Sequence, residues 1–327
     1  MARPRRRTAR SLLAFPVRFL RRTARRLLQP GIGRLDPQYR PRPLPSGPGY
    51  RLKQSPAAAP AVAIVTPTLN QNQFLGQTLA SVLGQGYPRL AYMVLDGGSE
   101  DGTLSTLEAH GDRLTWTSGP DAGQADAINR GFALIPGEIM AWINSDDLLL
   151  PGSLAYVADY FAAHPTVDMV YGDRLLIDGA GFEIGRWLLP AHDPEALKFV
   201  DYVPQETLFW RRRVWSAIGP LDTSFSYALD WDFLLRAQAA GFTIRHVPRF
   251  LGCFRVHAAQ KTQANWAMGQ AEMHRIRERC FGVVPTAEEI SRGIRPYLLR
   301  HVLRDRVHRL QQAASRTFQL PRPQSAE

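Results

Sequence analysis

Two adjacent carboxylates, Asp146 and Asp147, follow the apolar run Ile139-Met140-Ala141-Trp142-Ile143. Neighbouring acids repel each other unless water solvates them or a divalent cation neutralises them. Hard carboxylate oxygens suit Mg²⁺ or Mn²⁺, ions that typically bridge phosphates. Standing before Leu148-Leu149-Leu150-Pro151-Gly152, the same two residues also read as a helix N-cap pair. Asp96 closes a second apolar run, Ala91 to Leu95, and Gly97-Gly98 after it lets backbone approach a ligand closely. An aspartate there can accept a hydrogen bond from a base or a ribose, or simply close a turn. A third acid, Asp230, stands near a helix start and is a candidate base, with an N-cap as its plainer reading. The chain has neither Gly-x-Gly-x-x-Gly after its first strand nor Gly-x-x-x-x-Gly-Lys-Ser/Thr, so any phosphate it binds needs a cation and not a glycine cradle.

These acids need a scaffold, and the hydrophobic pattern supplies one. Ala61 to Thr66 reads as a buried strand and Gln73 to Leu83 as a helix, with Phe74, Leu75, Leu79, Val82 and Leu83 at helical spacing. Strand and helix then alternate: strand Ala91–Leu95, helix Thr103–His110, strand Leu114–Ser118, helix Gly123–Leu134, strand Ile139–Ile143, helix Gly152–His164, strand Met169–Tyr171. This order implies a mostly parallel sheet flanked by helices, with ligands beyond the carboxyl ends of its strands. Thr66-Pro67-Thr68, Asp96-Gly97-Gly98 and Asn144-Ser145-Asp146-Asp147 all fall at strand ends. After residue 180 the pattern loosens to a helix near Asp230, an extended segment Thr243–Phe250, and helical stretches Ala264–Phe281 and Ile290–Phe318.

Composition narrows the class. The chain has 327 residues and a formal charge of +11. Residues 1–50 hold thirteen arginines and one acid, so the rest is close to neutral. That argues against a basic nucleic-acid groove in the folded body. Residues 1–28 read as a basic arm, amphipathic or disordered, with arginines among leucines and phenylalanines; it has no apolar run long enough to cross a bilayer or serve as a signal-peptide core. Docking on an anionic membrane surface is one reading of it. Residues 29–60 are a Pro/Gly-rich linker or strap. Cys253 and Cys280 are too few for a disulfide framework and lack a Cys-x-x-Cys pair for zinc; two buried thiols are expected.

Several linked motifs now resemble the family 2 glycosyltransferases. They are Thr66-Pro67-Thr68-Leu69-Asn70, Tyr87-Pro88, Asp96 through Thr103, Pro120-Asp121-Ala122-Gly123-Gln124-Ala125-Asp126 through Gly131, Asn144 through Gly152, and Leu229-Asp230-Trp231-Asp232-Phe233 followed by Arg236. They run in order from about residue 61 to 262, with 263–327 left as a C-terminal helical extension. The resemblance implies an α/β GT-A fold and inverting transfer from a nucleotide diphosphate sugar. It implies that Thr66, Pro67, Thr68, Asn70, Asp96, Gly97, Asp126 and Asp146 serve the donor. It implies further that Asp147 ligates Mg²⁺ or Mn²⁺ with Asp146 and His257, that Asp230 is the base, and that Gln205, Glu206 and Trp231 lie on the acceptor side. The implied partners are a donor, most simply a UDP-sugar, and a glycan or lipid-linked acceptor. The implied location is cytoplasmic, peripheral at the inner face of the cell membrane.

Two departures qualify the resemblance. Asn144 replaces the first acid of the usual DXD, leaving fewer carboxylates for a metal. The Gln-x-x-Arg-Trp run of processive synthases is absent, which favours addition of single sugars. A non-catalytic sugar-nucleotide or glycan-binding protein on the same fold is the rival; intact Asp147 and Asp230 speak against it. A nucleotidyltransferase would want a glycine- and arginine-rich phosphate loop that the first strand lacks.

Overall fold

The computed structural model describes residues 32–317 apart from 54, 57, 259 and 261–265. The basic arm, the Lys261-Thr262 segment and the boundary expected at 262/263 lie outside the described residues.

In chain order the elements are β1 (Val62–Thr68), α1 (Asn72–Leu83), β2 (Leu90–Asp96), α2 (Thr103–Glu108), β3 (Thr115–Ser118), α3 (Gln124–Leu134), β4 (Ile139–Trp142), β5 (Leu148–Leu149), α4 (Ser153–Ala163), β6 (Met169–Ile177), β7 (Glu183–Trp187), α5 (Pro194–Phe199), β8 (Phe209–Arg211), α6 (Arg212–Ile218), α7 (Leu229–Ala239), β9 (Ile244–Arg255), α8 (Trp266–Phe281) and α9 (Ala287–Thr317). Among the described residues the strands form one sheet of order β3-β2-β1-β4-β8-β6-β9-β5, with β7 on β6. The β3-β2-β1-β4 half is parallel, as the alternating pattern predicts. The other half is mixed: β8 runs antiparallel to both β4 and β6, β7 to β6 and β5 to β9, while β6 and β9 are parallel.

Register explains the crevice. Thr68 stands opposite Asp96, and Asp96 opposite Ser118, so three strands end on one line. β4 stops at Trp142 opposite Val65, which releases Asn144 to Asp147 into the same crevice. Strands β1 and β4 are buried along their whole length because helices cover the sheet; α3 packs so closely that a Cβ on Gly131 would lie 2.7 Å from Val65.

The proline-rich stretch is an ordered strap where it is described. Arg42 bridges Glu183 of β7 in both backbone and side chain, and Trp187 donates its indole N–H to Arg34 O at 3.0 Å. Its Leu44 and Tyr50 cover a small apolar cluster around Leu150, Leu175 and Phe250. Both cysteines are free; Cys253 is buried, whereas Cys280 is only half-buried, because it lies on α8 at the surface of the body.

Candidate active site

A cavity of about 820 Å³ opens at the carboxyl ends of the parallel strands. Pro67 and Thr68 from β1, Asp121 to Gln124 before α3, Asn144 to Asp147 after β4, and Asp230 on the first turn of α7 meet there. Six acids line it, Asp121, Asp146, Asp147, Asp201, Glu206 and Asp230, against two arginines, Arg174 and Arg277. A cavity so weighted attracts cations, and an anionic ligand needs one to enter.

The Asp146–Asp147 turn is held from outside the cavity. Thr78 of α1 donates its hydroxyl to the carbonyls of Ser145 and Asp147, each at 2.8 Å. Arg255 at the end of β9 donates its Nε to Asp146 O at 2.7 Å and its backbone N–H to Asp147 Oδ1 at 3.0 Å. Burial, then the negative fields of Asp146 and Glu206, raise the Asp147 carboxyl well above the usual carboxylate range. Such a pair is unfavourable without a counter-charge, and hard carboxylate oxygens fit Mg²⁺ or Mn²⁺. Among the described residues no group of three or more His, Cys, Asp and Glu closes a metal cage. His257 lies beside the turn, its Nε2 3.0 Å from Asp146 Oδ2 and its ring against Phe74, outside the cavity lining. That contact orients Asp146.

Asn144, the departure from the acidic motif, belongs to an amide relay. Gln124 Nε2 donates to Asn144 Oδ1 at 2.8 Å, and Asn144 Nδ2 donates to Gln205 Oε1 at 3.1 Å; Gln205 in turn donates to Trp142 O at 2.8 Å. Asn144 Nδ2 also lies 3.4 Å from Asp147 Oδ2. An aspartate at 144 would add a third negative charge to this turn and could not donate.

Asp230 is lifted chiefly by burial, its carboxyl pushed up to about 6. Asp201, which the motifs did not single out, shares the cavity wall and is raised well above the carboxylate range by burial and then by Asp230. Its Oδ1 accepts the Val203 N–H at 3.1 Å. Glu206 is fully buried and paired with Arg174 through two bonds of 2.8 and 2.6 Å; the guanidinium is sandwiched between Trp187 and Phe254 at 4.6 and 4.5 Å. This pair forms a charged floor under the acids. Two buried polar atoms on the wall, Thr68 Oγ1 and Gln260 Nε2, have no hydrogen-bond partner among the described residues. Buried orphans of this kind are expected where a ligand completes them.

Other expected donor residues sit behind the wall. The Thr66 hydroxyl is buried 3.0 Å from Tyr92 Oη. The Asp96 carboxylate accepts from Gly98 N, Ser99 N, Ser99 Oγ and Ser118 Oγ, which leaves it little free capacity. Asn70, at φ +51°, clasps that loop by donating its N–H to Ser99 Oγ and accepting the Glu100 N–H; Gly97 is pressed against Asp121, whose Oδ2 would lie 3.1 Å from an added Cβ. Asp126 faces Ala122 N and Arg130. Trp231 is fully buried, its indole N–H held by Leu197 O at 2.7 Å and its ring covered by Arg277, so it lends an edge to the wall and no open face for a sugar. Asp232 points away from the cavity to Arg236 and Arg279, each at 2.7 Å.

This arrangement coincides with what known proteins share. The model of Glycosyl transferase family 2 matches residues 63–213. A PGL/p-HBAD biosynthesis glycosyltransferase of Mycobacterium bovis (strain BCG / Pasteur 1173P2) is 33% identical over 184 residues, 55% of this chain and 70% of that protein. The O-antigen biosynthesis protein RfbC of Myxococcus xanthus is 29% identical over 216 residues, 64% of this chain and 16% of that one. The fold is similar to that of S. aureus TarS 1-349 solved with UDP-GlcNAc, at a TM-score of 0.56, 16% identity, and coverage of 74% and 72% of the two chains; against the longer TarS structure the chain covers 43%. It is also similar to the mannosyltransferase PcManGT of Pyrobaculum calidifontis in complex with GDP-Man and Mn2+, at 0.53, 19% identity, and 89% and 77% coverage. The chain belongs to glycosyl transferase family 2, on a GT-A fold. It is a glycosyltransferase.

Proposed function

We propose that the cavity binds a nucleotide diphosphate sugar, with Asp146 and Asp147 holding Mg²⁺ or Mn²⁺, and that Asp230 deprotonates the acceptor hydroxyl in an inverting transfer of one sugar. The observation that carries this reading is that the adjacent carboxylates Asp146 and Asp147 and the burial-raised Asp230 line one acid-rich cavity. A base needs a pKa near working pH, and burial brings Asp230 toward it. The metal, when bound, would offset charge developing on the leaving diphosphate. Two carboxylates and no closed cage suit an ion that completes its shell with water and phosphate. Thr68 and Gln260 supply orphaned polar groups for the nucleotide, and the relay Gln124–Asn144–Gln205 fixes the turn beneath it. Arg277, Tyr227 and Trp187 face the acceptor side, with Gln205 and Glu206 shaping its floor.

The UDP-GlcNAc and GDP-Man bound by the structural relatives support a nucleotide sugar; the PGL/p-HBAD and O-antigen biosynthesis carried out by the sequence relatives supports a glycan or lipid-linked acceptor. The test is release of nucleoside diphosphate from a panel of UDP-, GDP- and dTDP-sugars, with Mn²⁺ and with chelator. Metal-dependent release from at least one donor is expected. Donor binding with no release, in the presence of a spread of glycan and lipid-linked acceptors, would instead mark a binding protein.

A further inference from the structure

Helix α9 packs on the body through one side and carries an apolar stripe on the other. Its inner side packs on the body: Tyr297 is buried against Tyr202 with ring centroids 4.0 Å apart, His301 Nδ1 donates to Leu188 O at 2.6 Å, and Arg304 pairs with Asp173 at 2.9 Å. Its outer side presents Leu299, Leu303, Val307 and Leu310, exposed by 60%, 64%, 45% and 71%. These positions recur every three or four residues, so they form one stripe along the helix. An apolar stripe on a helix normally faces a partner, and among the described residues nothing covers this one.

Charge says what covers it. Residues 287–311 hold six arginines and three acids, and Arg295, Arg306 and Arg309 flank the stripe. Residues 1–30 hold ten arginines and no acid. They join the described chain next to Ile32, whose N–H donates to His301 Nε2 at 3.3 Å, halfway along α9. The most cationic part of the sequence is therefore joined to the body at the inner side of the same helix. A second copy seated on the stripe would bring two such arms together, at a repulsive cost. Nucleic acid would use the arginines and leave the leucines in water. No described helix is long and apolar enough to cross a membrane. A helix with leucines on one exposed face and arginines along it instead lies in the headgroup layer. We infer that the outer face of α9 docks the protein on an anionic lipid surface. Because Tyr202 lines the cavity and stacks on Tyr297, docking holds the acceptor wall close to that surface.

The inference stands apart from the transfer chemistry, and its test needs no turnover. The full chain is floated with vesicles of phosphatidylcholine containing about 30% phosphatidylglycerol, and with phosphatidylcholine alone. Binding to the anionic vesicles only is expected, with loss at about 1 M salt, where the Debye length is about 3 Å. A variant carrying Leu299→Ser, Leu303→Ser and Leu310→Ser should bind about a hundredfold more weakly, since three apolar side chains no longer leave water. As a check that does not depend on that variant folding, Leu303→Cys in a Cys280→Ser background carries a polarity-sensitive dye. Its emission should shift to the blue on anionic vesicles. Undiminished binding of the triple variant, equal binding to neutral vesicles, no dye shift, tighter binding to a DNA duplex than to vesicles, or a leucine-dependent dimer that ignores vesicles would each overturn the proposal.

Discussion

Asp201 and Asp230 line the same cavity, and both carboxyl groups are raised by burial, Asp201 further by the charge of Asp230. With Asp230 ionised as the proposed base, its charge favours a neutral Asp201, which can then donate a hydrogen bond. Asparagine mimics a neutral carboxyl, so Asp201→Asn should keep turnover within about threefold, while Asp230→Asn should lose about 10²–10⁴-fold. A base works only when unprotonated. Turnover should therefore fall as pH drops through about 6, by about tenfold per unit below it, in a rate profile measured under saturating donor. A flat profile from pH 5 to 7 under those conditions, read with ~ single-unit resolution, would remove Asp230 from that role. Asp201 escaped the sequence reading because Val200-Asp201-Tyr202 carries no motif; its only signal was lying four residues before Gln205. Gln124 stood inside a motif, but its link to Asn144 joins positions twenty apart, and only the fold shows it.

At the scale of elements, most long periodic segments were legible and the short ones were not; β6 and β9 run on to Ile177 and Arg255, past the Tyr171 and Phe250 where the expected segments end. β1, α1, β2, α3 and β4 fall where apolar spacing puts them, within a residue or two. The two-residue β5, the three-residue β8, β7 and α5 are too short to show a period, yet β8 is what joins the parallel half of the sheet to β6. Strand periodicity also sorts Thr66 from the cavity: its side chain pairs with Tyr92 inside the sheet's packing layer, a fate that a motif match does not reveal. The fit of α3 on β1 gives a prediction. A Cβ at Gly131 would lie 2.7–2.8 Å from Val65 and Leu95, so Gly131→Ala should cost about 1–3 kcal/mol in denaturant unfolding. An unchanged midpoint would mean that the helix can shift outward freely.

Across the whole molecule, the strap ties one wall of the cavity to the sheet edge. Gly33 and Leu35 reach the cavity, while Tyr39, Arg42 and Arg186 converge on the buried carboxylate of Glu183. These partners hold Glu183 below the usual carboxylate range despite its burial. Glu183→Ala leaves cations without their partner and should cost on the order of 3 kcal/mol. Under the proposed function, in which Trp187 beside the strap faces the acceptor, the variant should raise KM for acceptor and leave slow donor hydrolysis by water nearly unchanged. Equal losses in both reactions would place the strap's effect on the donor.

The central claim, one cation-bridged donor facing one base, is tested most directly by measuring donor binding and turnover side by side in Asp147→Ala and Asp230→Asn, with and without Mn²⁺. The account predicts that Asp147→Ala loses the Mn²⁺-dependent part of binding together with turnover. Asp230→Asn should bind donor as the native chain does and turn over almost none. Full turnover in Asp230→Asn, or undiminished Mn²⁺-dependent binding in Asp147→Ala, would contradict it.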